Sequence, residues 1–284
     1  MTAWPPIDAP ELLARLAADD AAFRRGMLDM AASIGSREFT QELYEHALGY
    51  PWPRPLTSYL LDDGEVLDTG DDLRAHTAGR FPLLAFGSNG APDRLALKFA
   101  HLDPEQRRIL VVAGDLHDFD VGVSALPAIY GAMPATIVPS PGTVIRASVL
   151  WATAAQVTAL TWTELSYALG RLDDVRFDPD IPGAPPAGSV LAYVSRWGAH
   201  RVGGEVVAMA QVPARERRAP ALTQEQLLDG VAREVLGAAA GARELVAWLI
   251  EDFAAAAQRL APLLIERAEP FDHPGWTRYP AHGA

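Results

Sequence analysis

Apolar positions along this chain repeat at two different spacings. Between residues 9 and 49, Leu12, Leu13, Leu16, Phe23, Met27, Met30 and Ala31 recur at helical intervals. Gly35-Ser36 interrupts them, and a further helix is predicted from Phe39 to Leu48. PWPRP at 51–55 forbids a helix and reads as a linker. The acidic, turn-rich DDGEVLDTGDD beyond it reads as a surface hairpin or loop.

Short apolar runs then replace the helical stripe. LLAF (83–86) and RRILVVAGDL read as strands, and PDRLALKFAHL between them as a helix with proline in its first turn. PATIV (134–138) and VIRASVLW (144–151) read as two strands joined by a turn at PSPGT. AAQVTALTWTEL reads as a short helix, DPDIPGAPPAGSV as a loop, and VLAYVSRWGAHRVGGEVVAMAQVP as two strands about a Gly-rich turn. So many short strands with interspersed helices predict an α+β unit with a closed or strongly curved sheet.

From 221 to 267 the helical spacing returns. Thr223 and Gln226 form a capping-box pattern, and Leu245, Trp248, Leu249, Phe253 and Leu260 make one apolar stripe. The tail FDHPGWTRYPAHGA reads as irregular. The predicted organisation is a helical extension and linker (1–80), a core (81–213), and a helical extension with a tail (214–284).

Composition narrows the function. A net charge of -12 argues against nucleic acid as a partner. The chain has no cysteine, which excludes disulfides, thiolate catalysis and cysteine zinc sites. No apolar run reaches membrane-spanning length, and MTAWPPIDAPELLARL lacks the features of a signal peptide, so the cytoplasm is the expected compartment. Lys98 is the only lysine in an arginine- and alanine-rich sequence.

The stretch LLAFGSNGAP holds the main candidate site. Read alone, Phe86-Gly87-Ser88-Asn89 is a tight turn in which Ser88 or Asn89 caps the next helix. Read with the motifs downstream of it, it is a cradle of backbone N–H groups for an anionic ligand. Those motifs are PATIVPSPG, then VLW, then Glu164 thirteen residues after Trp151, with Tyr167 close behind. In this order the features resemble the γ-glutamylcyclotransferase-like family, over residues 81 to about 212. That family carries a YGSN-type loop after its first strand, an ATIVPSPG-type strand pair, and a helix ending in the catalytic glutamate. The chain departs from the pattern at Phe86, where the family usually has tyrosine, and at Leu165, where it usually has glycine.

The resemblance implies a small mixed β-barrel core and a metal-independent, cofactor-free reaction. A γ-glutamyl amide cyclises to 5-oxoproline and an amine is released. Glu164 is then the general acid/base, and Phe86, Gly87, Ser88, Asn89 and Tyr167 form the binding site for a small γ-glutamyl molecule. The chemistry suits these residue types. The nucleophile is the substrate's own α-amine, so no serine or cysteine is needed, and one carboxylate can take a proton and return it. Leu160, Trp162 and Leu165 surround Glu164 in sequence and predict an apolar wall. The N–H groups of Gly87, Ser88 and Asn89 would meet oxyanion or carboxylate charge, and Gly87 permits close approach. The added helices are candidates for narrowing the pocket or for a homodimer contact. The alternatives are a non-catalytic module that binds a carboxylate ligand or a protein, and a related amide-cleaving or amide-transferring enzyme on the same scaffold.

Other polar groups read as structural. In HDFD, strand alternation puts His117 and Phe119 on one face and Asp118 and Asp120 on the other, which disfavours a metal. His101, His200, His273 and His282 are scattered. Ser124 lacks a nucleophile elbow, FGSNG lacks the lysine of a P-loop, and RERR (215–218) reads as a solvated linker.

Overall fold

In a computed structural model the chain is described over residues 4–70 and 72–279. The elements in order are α1 (Pro10–Ala17), α2 (Asp20–Ala32), α3 (Gln41–Leu48), β1 (Tyr59–Asp62), β2 (Glu65–Leu67), α4 (Leu73–Thr77), β3 (Phe81–Ala85), α5 (Pro92–Phe99), β4 (Ile109–Val123) and β5 (Ala135–Ala152). Next come α6 (Ala154–Thr163), β6 (Tyr167–Asp173), β7 (Phe177–Pro179), β8 (Ser189–Ser195), β9 (Arg201–Val202), β10 (Glu205–Val206), β11 (Ala208–Met209), β12 (Ala214–Arg215) and β13 (Ala221–Leu222). The chain closes with α7 (Gln224–Leu236), α8 (Ala242–Glu251), α9 (Phe253–Ile265) and β14 (Trp276–Arg278).

The fold is mixed α+β, built on one large sheet ordered β13-β11-β4-β5-β3-β8-β6-β14. Strand alternation divides the core. Leu83, Ile109, Val111, Leu150 and Leu191 face one side, where Leu12 of α1, Leu95 and Phe99 of α5, and Val157 and Leu160 of α6 cover them. Leu84, Leu110, Val112, Val149 and Val190 face the other, against Phe23 of α2, Ala47 of α3 and the buried stripes of α7, α8 and α9. With both faces covered, the strands read as continuous apolar runs and not as alternating ones.

The sheet is strongly curved. Ala85 pairs with Ser148 in β5, yet a Cβ on Gly87 would lie 3.1 Å from that of Ala135, thirteen residues earlier in the same strand. A straight strand of that length would span roughly 43 Å at about 3.3 Å per residue, so β5 turns back over the end of β3. The sheet's terminal strands, β13 and β14, do not pair with each other among the described residues.

Several sequence expectations change. PSPGT is not a turn between two strands. Gly142 takes φ 85° inside one continuous β5, which pairs with β4 along most of both strands. Asp118 is a bulge with φ 64°, and it breaks the alternation expected of HDFD. As a result Phe119 and Asp120 are both buried, and His117 hydrogen-bonds Asp178 instead (2.7 Å). The apolar stripe of 242–265 is split at Asp252, whose side chain caps α9. The tail is not wholly irregular, since β14 pairs with β6; its last residues, His282 included, lie outside the described residues. RERR is not a solvated linker: Arg217 donates three hydrogen bonds to the fully buried Asp120, and Arg215 pairs in β12. The acidic segment is a hairpin, β1–β2, turning on Asp63-Gly64 with both residues at positive φ.

Both flanking segments contribute to this body. β1 pairs with β4, and β14 with β6. Arg196, nearly buried, donates to Asp20 (2.9 Å) and to the Arg15 and Ala18 carbonyls, and stacks on Phe23 at 3.9 Å.

Candidate functional site

Sheet topology brings the site together. β8 runs parallel to β3, and β6 runs antiparallel to β8. The first residue of β6, Tyr167, therefore lies at the same end of the sheet as the loop that leaves β3. β5 feeds α6, which packs beside α5 and delivers Glu164 to that end as its C-cap residue.

Six residues singled out by sequence, Phe86, Gly87, Ser88, Asn89, Glu164 and Tyr167, line one small cavity of about 30 Å³ together with Tyr50, Ala135 and Tyr193. That is room for a water-sized group. Ser88–Gly90 forms a single 3₁₀ turn. Its backbone bonds run from the Gly90 N–H to the Gly87 carbonyl (3.1 Å) and from Ala91 to Ser88 (3.0 Å), and they use none of the three preceding N–H groups. Arg54 clamps the loop from behind, donating to the Phe86 (2.5 Å) and Gly87 (3.3 Å) carbonyls. Neither Ser88 nor Asn89 caps α5 with its side chain; Ala91 occupies the cap position and Pro92 starts the helix.

Asn89 turns instead toward Glu164. Its Nδ2 donates to Glu164 Oε1 at 3.1 Å, and its Oδ1 accepts from Lys98 Nζ at 2.7 Å. Lys98 Nζ also donates to Glu164 Oε1 at 2.9 Å. The triangle is closed and nearly buried: the Lys98 and Glu164 side chains are 15% and 13% exposed. The apolar wall expected around Glu164 is only partly present. Leu160 is buried, but Trp162 and Leu165 are 43% and 37% exposed, and the carboxylate's own partners are polar.

A hydroxyl also reaches this cavity from Tyr50, in the segment ahead of the core. Its oxygen accepts from the Ala135 N–H at 2.9 Å and would stand 3.0 Å from a Cβ on Gly87. This contact and the 3.1 Å approach of Ala135 leave little room for a side chain at 87, so a Cβ there would have to push Tyr50 or Ala135 aside. Burial, above all, pushes the Tyr50 phenol up to about 12. Tyr167 donates to the Ala135 carbonyl at 2.7 Å, and burial, then the neighbouring Tyr50 and Glu164, push it well above its ordinary value. Both phenols thus keep their protons at pH 7.

A second, larger cavity of about 720 Å³ opens from the first; Tyr50, Ser88, Glu164 and Tyr167 line both. Its polar lining is a connected run. Tyr50 packs on Trp52 (5.1 Å), Trp52 stacks on His46 (4.7 Å), and the Arg94 guanidinium lies 3.9 Å over Trp52. Lys98 sits one turn further along α5.

Local sequence signals do not reveal Lys98, Tyr50, Trp52 or Arg94 as site residues. The lysine's uniqueness and its position ten residues after Ser88 are visible, but its pairing with Glu164 depends on α5 and α6 lying side by side. Trp52 is hidden in PWPRP, which reads as a linker, and Tyr50 stands immediately before it. Ser124 is buried against Ser195 (2.8 Å). Among the described residues no group of three or more His, Asp or Glu side chains is placed to hold a metal ion, and no helix is long and apolar enough to cross a membrane. No protein-family model matches the chain, and no curated protein is significantly similar to it.

Proposed function

We propose that the protein is a γ-glutamylcyclotransferase-like enzyme that converts a γ-glutamyl amide into 5-oxoproline and an amine on a barrel-like core of that family. The observation that carries this reading is the convergence of Glu164, held by Asn89 and Lys98, with the Gly87–Asn89 loop on one cavity.

In this reading the γ-carbonyl oxygen lies against the loop N–H groups, which stabilise it as it becomes an oxyanion. The α-ammonium of the substrate gives a proton to Glu164. The freed α-nitrogen attacks the γ-carbonyl carbon, and Glu164 passes the first proton to the leaving nitrogen as its bond to carbon breaks; the attacking nitrogen then sheds a second proton by the same route, so that 5-oxoproline keeps one N–H and the amine departs as an ammonium. Lys98 has two tasks. It fixes the carboxylate, and its charge disfavours the ammonium form of the substrate, so the nucleophilic free amine is easier to reach. Holding nitrogen against carbon supplies much of the rate, since orientation alone is worth roughly 7–11 kcal/mol in favourable intramolecular cases. The cytoplasm is the compartment this reading assigns.

A second reading is favoured by one observation: Glu164 already has a cation at 2.9 Å. A site so neutralised suits a module that binds a carboxylate ligand without turnover. Mass spectrometry for 5-oxoproline across a panel of γ-glutamyl amino acids and amines separates the two. Product from the wild type, cut at least ~100-fold in Glu164→Gln, is the expected result. Binding without product leaves the module, and equal activity in both proteins removes Glu164 from the mechanism.

A further inference from the structure

The larger cavity is far bigger than a γ-glutamyl group requires. At about 720 Å³ it falls within the range that encloses a drug-sized ligand. The acyl half of any γ-glutamyl amide is fixed, short and polar, and the junction residues Tyr50, Ser88, Glu164 and Tyr167 suit it. The remaining volume faces the half that varies, the amine.

Most of the lining of that remaining volume is apolar, with His46, Arg94, Lys98 and His101 confined to its polar side. Met27, Met30 and Ile34 line it from α2 and just beyond, and Phe253 lines it from α9. These residues come from the two flanking segments and not from the core strands. The mouth is apolar as well. Leu97 is 67% exposed, Trp162 43% and Leu165 37%; all three belong to the lining and are among the exposed large apolar side chains of the described residues. Exposed apolar groups gathered around a cavity mouth mark a surface that a ligand is meant to cover.

From these two observations we infer that the leaving group is an apolar amine with a long alkyl or aromatic body, lodged against the apolar side chains that α2 and α9 present to the cavity. The γ-glutamyl half of this ligand rests on the function proposed above; the apolar half rests on the cavity itself. Small, polar leaving groups such as alanine or glycine would leave most of the cavity lining in contact with water.

The test is a series of γ-glutamyl n-alkylamides from ethyl to hexyl, together with γ-glutamyl-phenethylamide and γ-glutamyl-alanine, on the full-length wild type. 5-Oxoproline formation and calorimetric binding are measured in parallel. The expected result is a gain of about fourfold in kcat/KM per added methylene, carried mainly by KM, with the phenethylamide well ahead of the alanine compound. Ala257→Leu, which fills the cavity beside Phe253, should flatten the series; the wild-type trend stands without it if that variant fails to fold. Product formation with no gain along the series overturns the inference and leaves the cyclisation standing. Tightening binding along the series without product upholds the apolar pocket and removes the cyclisation. Neither product nor binding overturns both.

Discussion

Replacing Lys98 with methionine removes one corner of the closed triangle while keeping a side chain of similar length. Two hydrogen bonds are lost, at 2.7 Å to Asn89 and 2.9 Å to Glu164, and the carboxylate keeps only Asn89 Nδ2 at 3.1 Å. Both charged side chains are only about one-seventh exposed (15% and 13%), so water repairs little of the loss. Hydrogen bonds to charged groups contribute about 1.5–3 kcal/mol each, but these two share one ammonium, so the expected cost of Lys98→Met is about 2–3 kcal/mol. For a chain of 284 residues that corresponds to a fall in Tm of roughly 4–6 °C. Glu164→Gln should cost a similar amount by leaving the ammonium uncompensated. The double variant removes both charges, so it should be cheaper than the sum of the two by at least ~1 kcal/mol. Urea unfolding of all four proteins at pH 7 measures the coupling. A coupling energy within ~0.3 kcal/mol of zero would refute the triangle as an energetic unit, and Lys98 would then be a surface lysine that happens to lie nearby.

His200 is almost fully buried, and burial, the largest influence, brings its imidazole down to about 4, with Arg267 acting in the same direction and Glu234 against it. The unfolded chain, with a value near 6.5, therefore binds the proton first as pH falls, so stability is complete above about pH 6.5 and is lost toward pH 4. Wild type should lose roughly 2 kcal/mol more than His200→Gln between pH 7 and pH 5, read from urea midpoints; equal losses would sink the assignment. At Gly170 a Cβ would stand 2.3 Å from the Trp276 ring and 2.7 Å from the Thr277 carbonyl. Gly170→Ala should therefore displace β14 at a cost of about 1–3 kcal/mol and speed tryptic cleavage at Arg278; an unchanged cleavage rate would mean that the tail is not docked as described.

Much of this protein is legible in its residues. LLAF, ILVVA and LAYV announce themselves as strands because each is a short apolar run bounded by turn residues, and burial on both sheet faces requires that composition. Pro92 starts α5 as expected, Thr223 and Gln226 form their capping box, and Asp63-Gly64 makes the hairpin turn. The six candidate residues stand out from motifs along the chain, and the 86–89 turn carries its geometry within itself; that Glu164 and Tyr167 meet it around one cavity follows from the order and direction of β3, β8 and β6.

Tertiary structure decided what depends on distance in space. Whether PSPGT turns back or continues is settled by a partner, β4, that pairs with β5 on both sides of it. The bulge at Asp118 undoes a strand alternation that no local signal disfavoured, and it sends Asp120 inward to Arg217. A tail that reads as irregular becomes a strand because β6 offers it an unpaired edge. Most of all, the sequence names Lys98 and Glu164, 66 residues apart, but not their contact. Only the packing of α5 against α6 makes them neighbours, and only the curvature of β5 brings Ala135 and Tyr50 to the loop. Charge, apolar spacing and turn chemistry are local and can be read along the chain; ion pairs, cavities and strand partners are relations between distant segments, and they exist only once the chain has folded.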